Sequence, residues 1–423
     1  MIAETLHPKS LELELQDLRS KLHLEQLKVA TMLNLTQSFN LNFSSNAILE
    51  IYRSAISEEL RIPDFLLYLT DEQNQFYVAT QSQYHETTQI YEQSAAELLQ
   101  DYTKTTPLAA EHKLVFKRFN TVIPVLHKNQ LLGCLLVGKL PWAQDALIGD
   151  MLVYLQSITN IVVMGNENKK LFKTKLTQET LEKELKVARA VQDLLVPKEL
   201  PDTNYFKASA IYMPNSAVGG DYFDCQQLNE HEWIFCIADV VGKGVPAALF
   251  MANVQANMRL LIDNHISLKN LVEQLAEKVY KNTQGEKYVT MFLGKINTQS
   301  GVLEYVNAGH VQPFICKRNG EIERLASGTI PLGIEAKLPF LNIGKTQLAT
   351  GSLFLGFTDG VSEIMDFRGN MYDTEVLEQF VKQYYSLEPR PFNEALLGSM
   401  KKFSAQNEFQ DDVTVLTLRC DAV

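Results

Sequence analysis

The stretch CIADVVGKGVPAALFMA, residues 236–252, constrains the fold more than any other part of the chain. An apolar run from Trp233 to Ala238 reads as a strand and ends on a carboxylate, Asp239. A tight Gly242-Lys243-Gly244 turn follows, and Pro246 then opens an apolar helix. A strand delivers its last side chain with little positional freedom. Glycines let the backbone approach a ligand closely, and proline suits the first turn of a helix. That geometry fits a carboxylate holding a metal beside a phosphate or a water. Taken alone, it also describes an ordinary strand-to-helix connection.

The same arrangement recurs. Asp221 lies in SAVGGDYFD (216–224), Asp359 follows the strand pattern LFLGF in LFLGFTDGVSE (353–363), and Asp411-Asp412 precede a strand in QDDVTVLTLR (410–419). Each could be a plain local feature: a bulge at Gly219-Gly220, a turn at Asp359-Gly360, a solvated strand end at Asp411-Asp412. Four such carboxylates in one β-rich segment ask for a common explanation. Unpaired carboxylates buried at strand ends are costly, whereas several that converge on a divalent cation stabilise one another. With no His or Cys in these motifs, the donors are hard oxygens, which favour Mg²⁺ or Mn²⁺ over Zn²⁺.

The rest of the chain divides by texture. Its 423 residues suit two or three domains. Residues 1–34 carry a heptad stripe of Leu11, Leu15, Leu18, Leu22, Val29 and Met32, interrupted at Glu25. It fits either a helix pair, and hence a homodimer, or one amphipathic helix lying on its own domain. Residues 35–164 read as an α/β unit: a helix over 46–60, strands at 64–70 and 75–81, a helix over 88–99, a hairpin of 121–127 with 131–140, and a helix over 143–163. Residues 165–196 form a charged helical linker with Leu181, Leu185, Ala188, Val191 and Leu195 on one face, stopped by Pro197. From 197 to 423 the pattern is β-rich, with helices expected at 246–261, 267–280, 373–386 and 392–403 and a hairpin at Asn319-Gly320.

Charge and cysteine usage exclude several classes. A net charge of −11 argues against nucleic acid or an anionic membrane as partner. No run approaches the roughly 18 apolar residues of a spanning helix, and the N-terminus lacks the pattern of a signal peptide. Five scattered cysteines without a C-x-x-C pair fit a reducing compartment, so a cytoplasmic location is expected.

Gly219-Gly220-Asp221, Asp239-x-x-Gly242-Lys243-Gly244, Thr358-Asp359-Gly360 and Asp411-Asp412-Val413-Thr414 together resemble the motifs of metal-dependent PPM-type serine/threonine phosphatases, closest to their bacterial SpoIIE/RsbU-like branch. ARAVQDLLVPKELP (188–201), YVTMFLGKI (288–296), YVNAGHVQP (305–313) and PLGI (331–334) agree with it. The resemblance implies an α+β fold, an α-β-β-α sandwich of two antiparallel sheets. It implies two Mn²⁺ or Mg²⁺ ions bridged by Asp239, with the Val240 carbonyl as a further ligand and Asp359 and Asp411 completing one shell. Asp221 would join a metal or hold its water, and Asp412 stands beside the matching ligand position. Asp221 and Asp239 would carry the catalysis. The implied substrate is phosphoserine or phosphothreonine on a regulatory protein, commonly an antagonist of an anti-sigma factor. By order and length of elements, residues 35–164 resemble a GAF domain, a sensor or dimerisation module, with room for a small ligand whose contacts no motif marks.

Two departures stand out. Many eukaryotic members have Asp-Gly-His-Gly where this chain has Asp239-Val240-Val241-Gly242, so their proposed general acid is missing. Their phosphate-binding arginine has no match either; Lys243 lies nearby, and His310 reads as structural. Two other functions compete: a catalytically weak phosphoprotein-binding scaffold, which has no need of every carboxylate, and a cyclic-dinucleotide enzyme suggested by Gly219-Gly220-Asp221-Tyr222-Phe223. The second leaves Asp359 and Asp411 unexplained.

Overall fold

The structure is a computed structural model and describes residues 8–73, 75–82, 98–141, 145–404 and 409–421. The chain forms two compact units, Met1–Glu179 and Thr180–Val423.

In the first unit, helix α1 (Pro8–Asn40) is followed by α2 (Ser45–Ser54), capped by the Ser44 hydroxyl and continued by a wider turn over Ala55–Glu59. Strands β1 (Phe65–Thr70), β2 (Phe76–Gln81), β3 (Thr106–Pro107), β4 (Thr121–His127) and β5 (Gln130–Val137) make one sheet in the order β2-β1-β5-β4-β3. Helix α3 (Asp145–Gln192) closes the series. One sheet face packs Phe65, Leu67, Ile123, Leu135 and Val137 against Leu35, Tyr52, Ile56, Leu155, Ile158 and Val162 of the helices. The other face is covered by a smaller cluster around Phe116, Phe119 and Leu99.

Three expectations change here. The helix expected over 88–99 falls mostly outside the described residues. Strand β3 was not foreseen, because two residues carry no periodicity. The break between 163 and 165 does not exist: α3 is a single helix of 48 residues. Gly165 marks packing instead, since a Cβ there would sit 2.3 Å from the Phe39 ring of α1. An 18-residue window of α3 is apolar enough to cross a membrane by length and composition. Met151, Leu155, Ile158, Val162 and Val163 place that apolar face in the core of the unit.

The second unit has four layers. Strands β6 (Phe206–Met213), β7 (Tyr222–Gln227) and β8 (Glu232–Val240) precede helices α4 (Val245–Leu261) and α5 (Leu268–Thr283). Then come β9 (Val289–Asn297), β10 (Val302–Ala308), β11 (Phe314–Cys316), β12 (Ile322–Arg324), β13 (Gly328–Thr329), β14 (Gly344–Gln347) and β15 (Leu353–Phe357). The one-turn helix α6 (Asp359–Ser362), α7 (Thr374–Tyr384), α8 (Pro389–Phe403) and β16 (Val413–Cys420) complete the chain. One sheet runs β13-β10-β9-β8-β7 with β14 also on β10; the other runs β12-β11-β15-β16-β6. All pairs are antiparallel except β10 with β13.

The sheets face each other through Phe235, Phe292 and Phe354, with ring centroids 5.0 Å (Phe235–Phe354) and 5.4 Å (Phe292–Phe354) apart. Outside, α4 and α5 cover the first sheet through Met251, Val254, Leu271 and Leu275. Helices α7 and α8 cover the second through Leu377, Val381, Phe392 and Leu396. This is the α-β-β-α sandwich expected from the sequence. Strands buried on both faces read as unbroken apolar runs, which is why LFLGF and WIFCIA were legible.

Candidate metal centre

The register of the two sheets brings four carboxylates to one end of the sandwich. Asp239 is the penultimate residue of β8, opposite Thr290 of β9. Asp221 directly precedes β7, the neighbour of β8. Asp359 opens α6 two residues after β15, and Asp411 lies two residues before β16, the partner of β15. One strand end from each pair thus converges.

Their environments differ. Asp221 is buried, at 1 % exposure, and accepts a 2.8 Å hydrogen bond from the Thr358 hydroxyl. Thr358 in turn accepts the Thr414 N–H at 3.0 Å, so one hydroxyl ties Asp221 to the end of β15 and the start of β16. Asp411 is ion-paired to the Lys243 ammonium at 2.7 Å. Asp412 points elsewhere: its two oxygens accept the N–H groups of Asn215 (2.8 Å) and Gly220 (2.7 Å). Both contacts fasten the segment leading into Asp221. The Val240 backbone faces that segment, its oxygen 3.2 Å from the position of a Cβ on Gly220. At Gly360 a Cβ would lie 2.0 Å from the Asp412 carbonyl, so only glycine lets α6 pack against the start of β16.

The electrostatics record the crowding. Burial, then Asp359, Asp411 and Asp412, push the Asp239 carboxyl up from 3.8 to about 7. Burial and then Asp239 raise Asp221 well above the usual carboxylate range, and burial with Asp411 raises Asp359. Among the described residues, no three His, Cys, Asp or Glu side chains stand ready-made as a metal cage. Lys243, Thr358 and the amides at 215 and 220 hold several of the oxygens instead. The donor set still fits a divalent cation: its members are hard oxygens whose mutual repulsion a dication would relieve.

The roles of three neighbours were not foreseen. Thr358 and Thr290 lie inside quoted motifs, but their roles arise from contacts distant in sequence: Thr290 bonds the His310 Nδ1 at 3.0 Å. Lys287 lies over the Gly242 turn, its ammonium 3.7 Å from where a Cβ would stand. His310 itself is buried, and burial holds its imidazole down at about 4, so it is uncharged at neutral pH. The Gly242-Lys243-Gly244 turn has φ of 110° and 69° at its two glycines, a conformation other residues resist.

Among solved structures, the SiaA-PP2C domain of Pseudomonas aeruginosa superposes with a TM-score of 0.51 over 57 % of this chain and 98 % of that one, at 17 % identity. The second unit therefore has the fold of the PP2C, or PPM, phosphatases. Residues 229–421 match the family described as Stage II sporulation protein E (SpoIIE). The C-terminal unit is accordingly a PPM-type phosphatase domain of the SpoIIE family. The chain is 25 % identical over 247 residues to the phosphoserine phosphatase RsbU of Bacillus subtilis (strain 168), covering 57 % of this chain and 71 % of that protein. It is 24 % identical over 272 residues to protein IcfG of Synechocystis sp., covering 58 % of this chain and 43 % of IcfG.

Proposed function

We propose that the chain hydrolyses phosphoserine or phosphothreonine on a regulatory protein, in dependence on Mn²⁺ or Mg²⁺. The observation that carries this reading is the meeting of Asp221, Asp239, Asp359 and Asp411 at one end of the sandwich, where burial and neighbouring carboxylates drive the carboxyl groups of Asp221, Asp239 and Asp359 upward. When bound, divalent cations there supply Lewis acidity toward the phosphoryl oxygens and the attacking water. The protein's own groups orient. Asp239 and the Val240 carbonyl, at the end of β8, would hold these cations together with Asp359 and Asp411. Asp221, held by Thr358, takes up a position beside Asp239. Water adds to phosphorus, the bond to the serine oxygen breaks, and that oxygen leaves with a proton. Asp412 acts in this scheme as the anchor of the 215–220 segment. Lys243 and Lys287 flank the Gly242 turn and add positive charge where a phosphoryl group arrives.

The protein substrate is read as an antagonist of an anti-sigma factor, on the likeness to RsbU. The first unit is read as a GAF-like sensor that controls the second and as the seat of homodimerisation; exposed Leu15, Leu18, Leu22 and Val29 on α1 support this. A cytoplasmic location goes with these roles.

The test is hydrolysis of p-nitrophenyl phosphate and of a phosphoserine peptide by the full chain with Mn²⁺ present. Wild type should turn over both, and Asp239→Asn should lose at least about 100-fold in kcat, the scale of a lost electrostatic contribution to phosphoryl transfer. A metal-loaded wild type that hydrolyses neither, or an unimpaired Asp239→Asn, would rule the reading out.

A further inference from the structure

The end of α3 enters the second unit with most of its surface in solvent, yet one side chain is buried. Gln192 is 4 % exposed, whereas Val191 and Leu194 are 56 % and 66 % exposed. Its carboxamide spends both functions on a single residue. Nε2 donates to the Gly219 carbonyl at 2.6 Å, and Oε1 accepts the Gly219 N–H at 3.1 Å. A side-chain amide thus replaces a neighbouring strand, pairing both backbone groups of a residue that lies in no sheet.

The next N–H along, that of Gly220, goes to Asp412. Gly219 and Gly220 are therefore gripped from two sides immediately before Asp221. The tie continues three residues on, where the Leu195 carbonyl accepts from Gln255 Nε2 of α4 at 3.2 Å. Helix α4 is the one that follows Asp239 and its glycine turn. Arg259 of α4 also pairs, at 2.9 Å, with buried Asp224 in β7. The end of α3 is in this way bonded to the segment before one carboxylate and to the helix after another.

We infer that Gln192 is a positioning residue: by fixing the Gly219 backbone it sets where Asp221 stands relative to Asp239, and the metal affinity of the centre depends on it. The inference rests on the metal-dependent reading above, and it needs no turnover to be tested. Groups that orient metal ligands typically change affinity 10–100-fold when removed.

Mn²⁺ binding to the full chain, measured by isothermal titration calorimetry, decides it. Gln192→Met keeps the shape of the side chain and removes both hydrogen bonds. Its Kd for Mn²⁺ should rise by about tenfold or more. A destabilised control far from the centre, Leu396→Val in α8, should lower Tm and leave the Kd unchanged. Should Gln192→Met fail to fold, Gln192→Ala takes its place, since it also removes both hydrogen bonds without adding a charge. An unchanged Kd in the folded variant overturns the inference, as does a Kd that rises equally in Leu396→Val. A wild type that binds Mn²⁺ but hydrolyses no phosphate ester removes the phosphatase reading and leaves the Kd comparison to decide this one. A wild type that binds no Mn²⁺ overturns both.

Discussion

Asp239 sits where burial and three other carboxylates oppose its ionisation. The sign of the consequence follows from linkage. With its pKa raised from 3.8 to about 7, the folded protein holds a proton that the unfolded chain has released. Metal-free stability should then fall as pH rises from about 4 through about 7 and level off above. The ceiling for this one group is about 4 kcal/mol, at about 1.4 kcal/mol per unit. Denaturant unfolding in EDTA at pH 5.5 and pH 8 measures it. Asp239→Asn should flatten the difference and make the metal-free protein more stable at pH 8; Mn²⁺ should flatten it for wild type. Equal pH slopes in wild type and variant would sink the argument. The carboxylates stood out in the sequence because each ends or borders an apolar run, a pattern carried by neighbours in sequence. Thr358 and Gln192 lie inside motifs singled out in the sequence, but their hydrogen bonds were not legible, since their partners Asp221 and Gly219 lie 137 and 27 residues away.

At the scale of elements, α1 carries apolar side chains on two faces. Leu24, Met32, Leu35 and Phe39 pack into the first unit's core. Leu15, Leu18, Leu22 and Val29 are 50–68 % exposed. That second stripe, spaced three, four and seven residues apart with Glu25 in the gap, fits a helix partner in a second copy. Leu18→Lys with Leu22→Lys should convert a dimer to a monomer in sedimentation equilibrium at micromolar concentration, with helix content by circular dichroism unchanged. A monomeric wild type, or a variant that still dimerises, would refute it. The heptad was visible in the sequence because periodicity is local. The continuity of α3 was not, because glycine and asparagine at 165–166 look like punctuation when the Phe39 ring that explains Gly165 is out of view.

For the whole molecule, the sandwich was expected from the resemblance of its motifs to the PPM phosphatases, with which the apolar strand runs agree, while the order of strands within each sheet came only with the structure. Pairings such as β6 with β16 join residues about 200 positions apart, and nothing in either strand's pattern names its partner. The boundary between the two units falls inside α3, at residues 179 and 180. An unbroken helix of 48 residues is about 72 Å long and turns about 100° per residue. Such a shaft has a phase. One alanine inserted after Thr177 rotates everything beyond it by about 100°, whereas seven restore the original angle to within about 20°. If the first unit acts on the centre through this helix, the Mn²⁺ needed for half-maximal turnover should vary periodically across insertions of one to seven residues. A flat response would make the helix a tether, and a gear-like one would mean that Gln192 reads an angle.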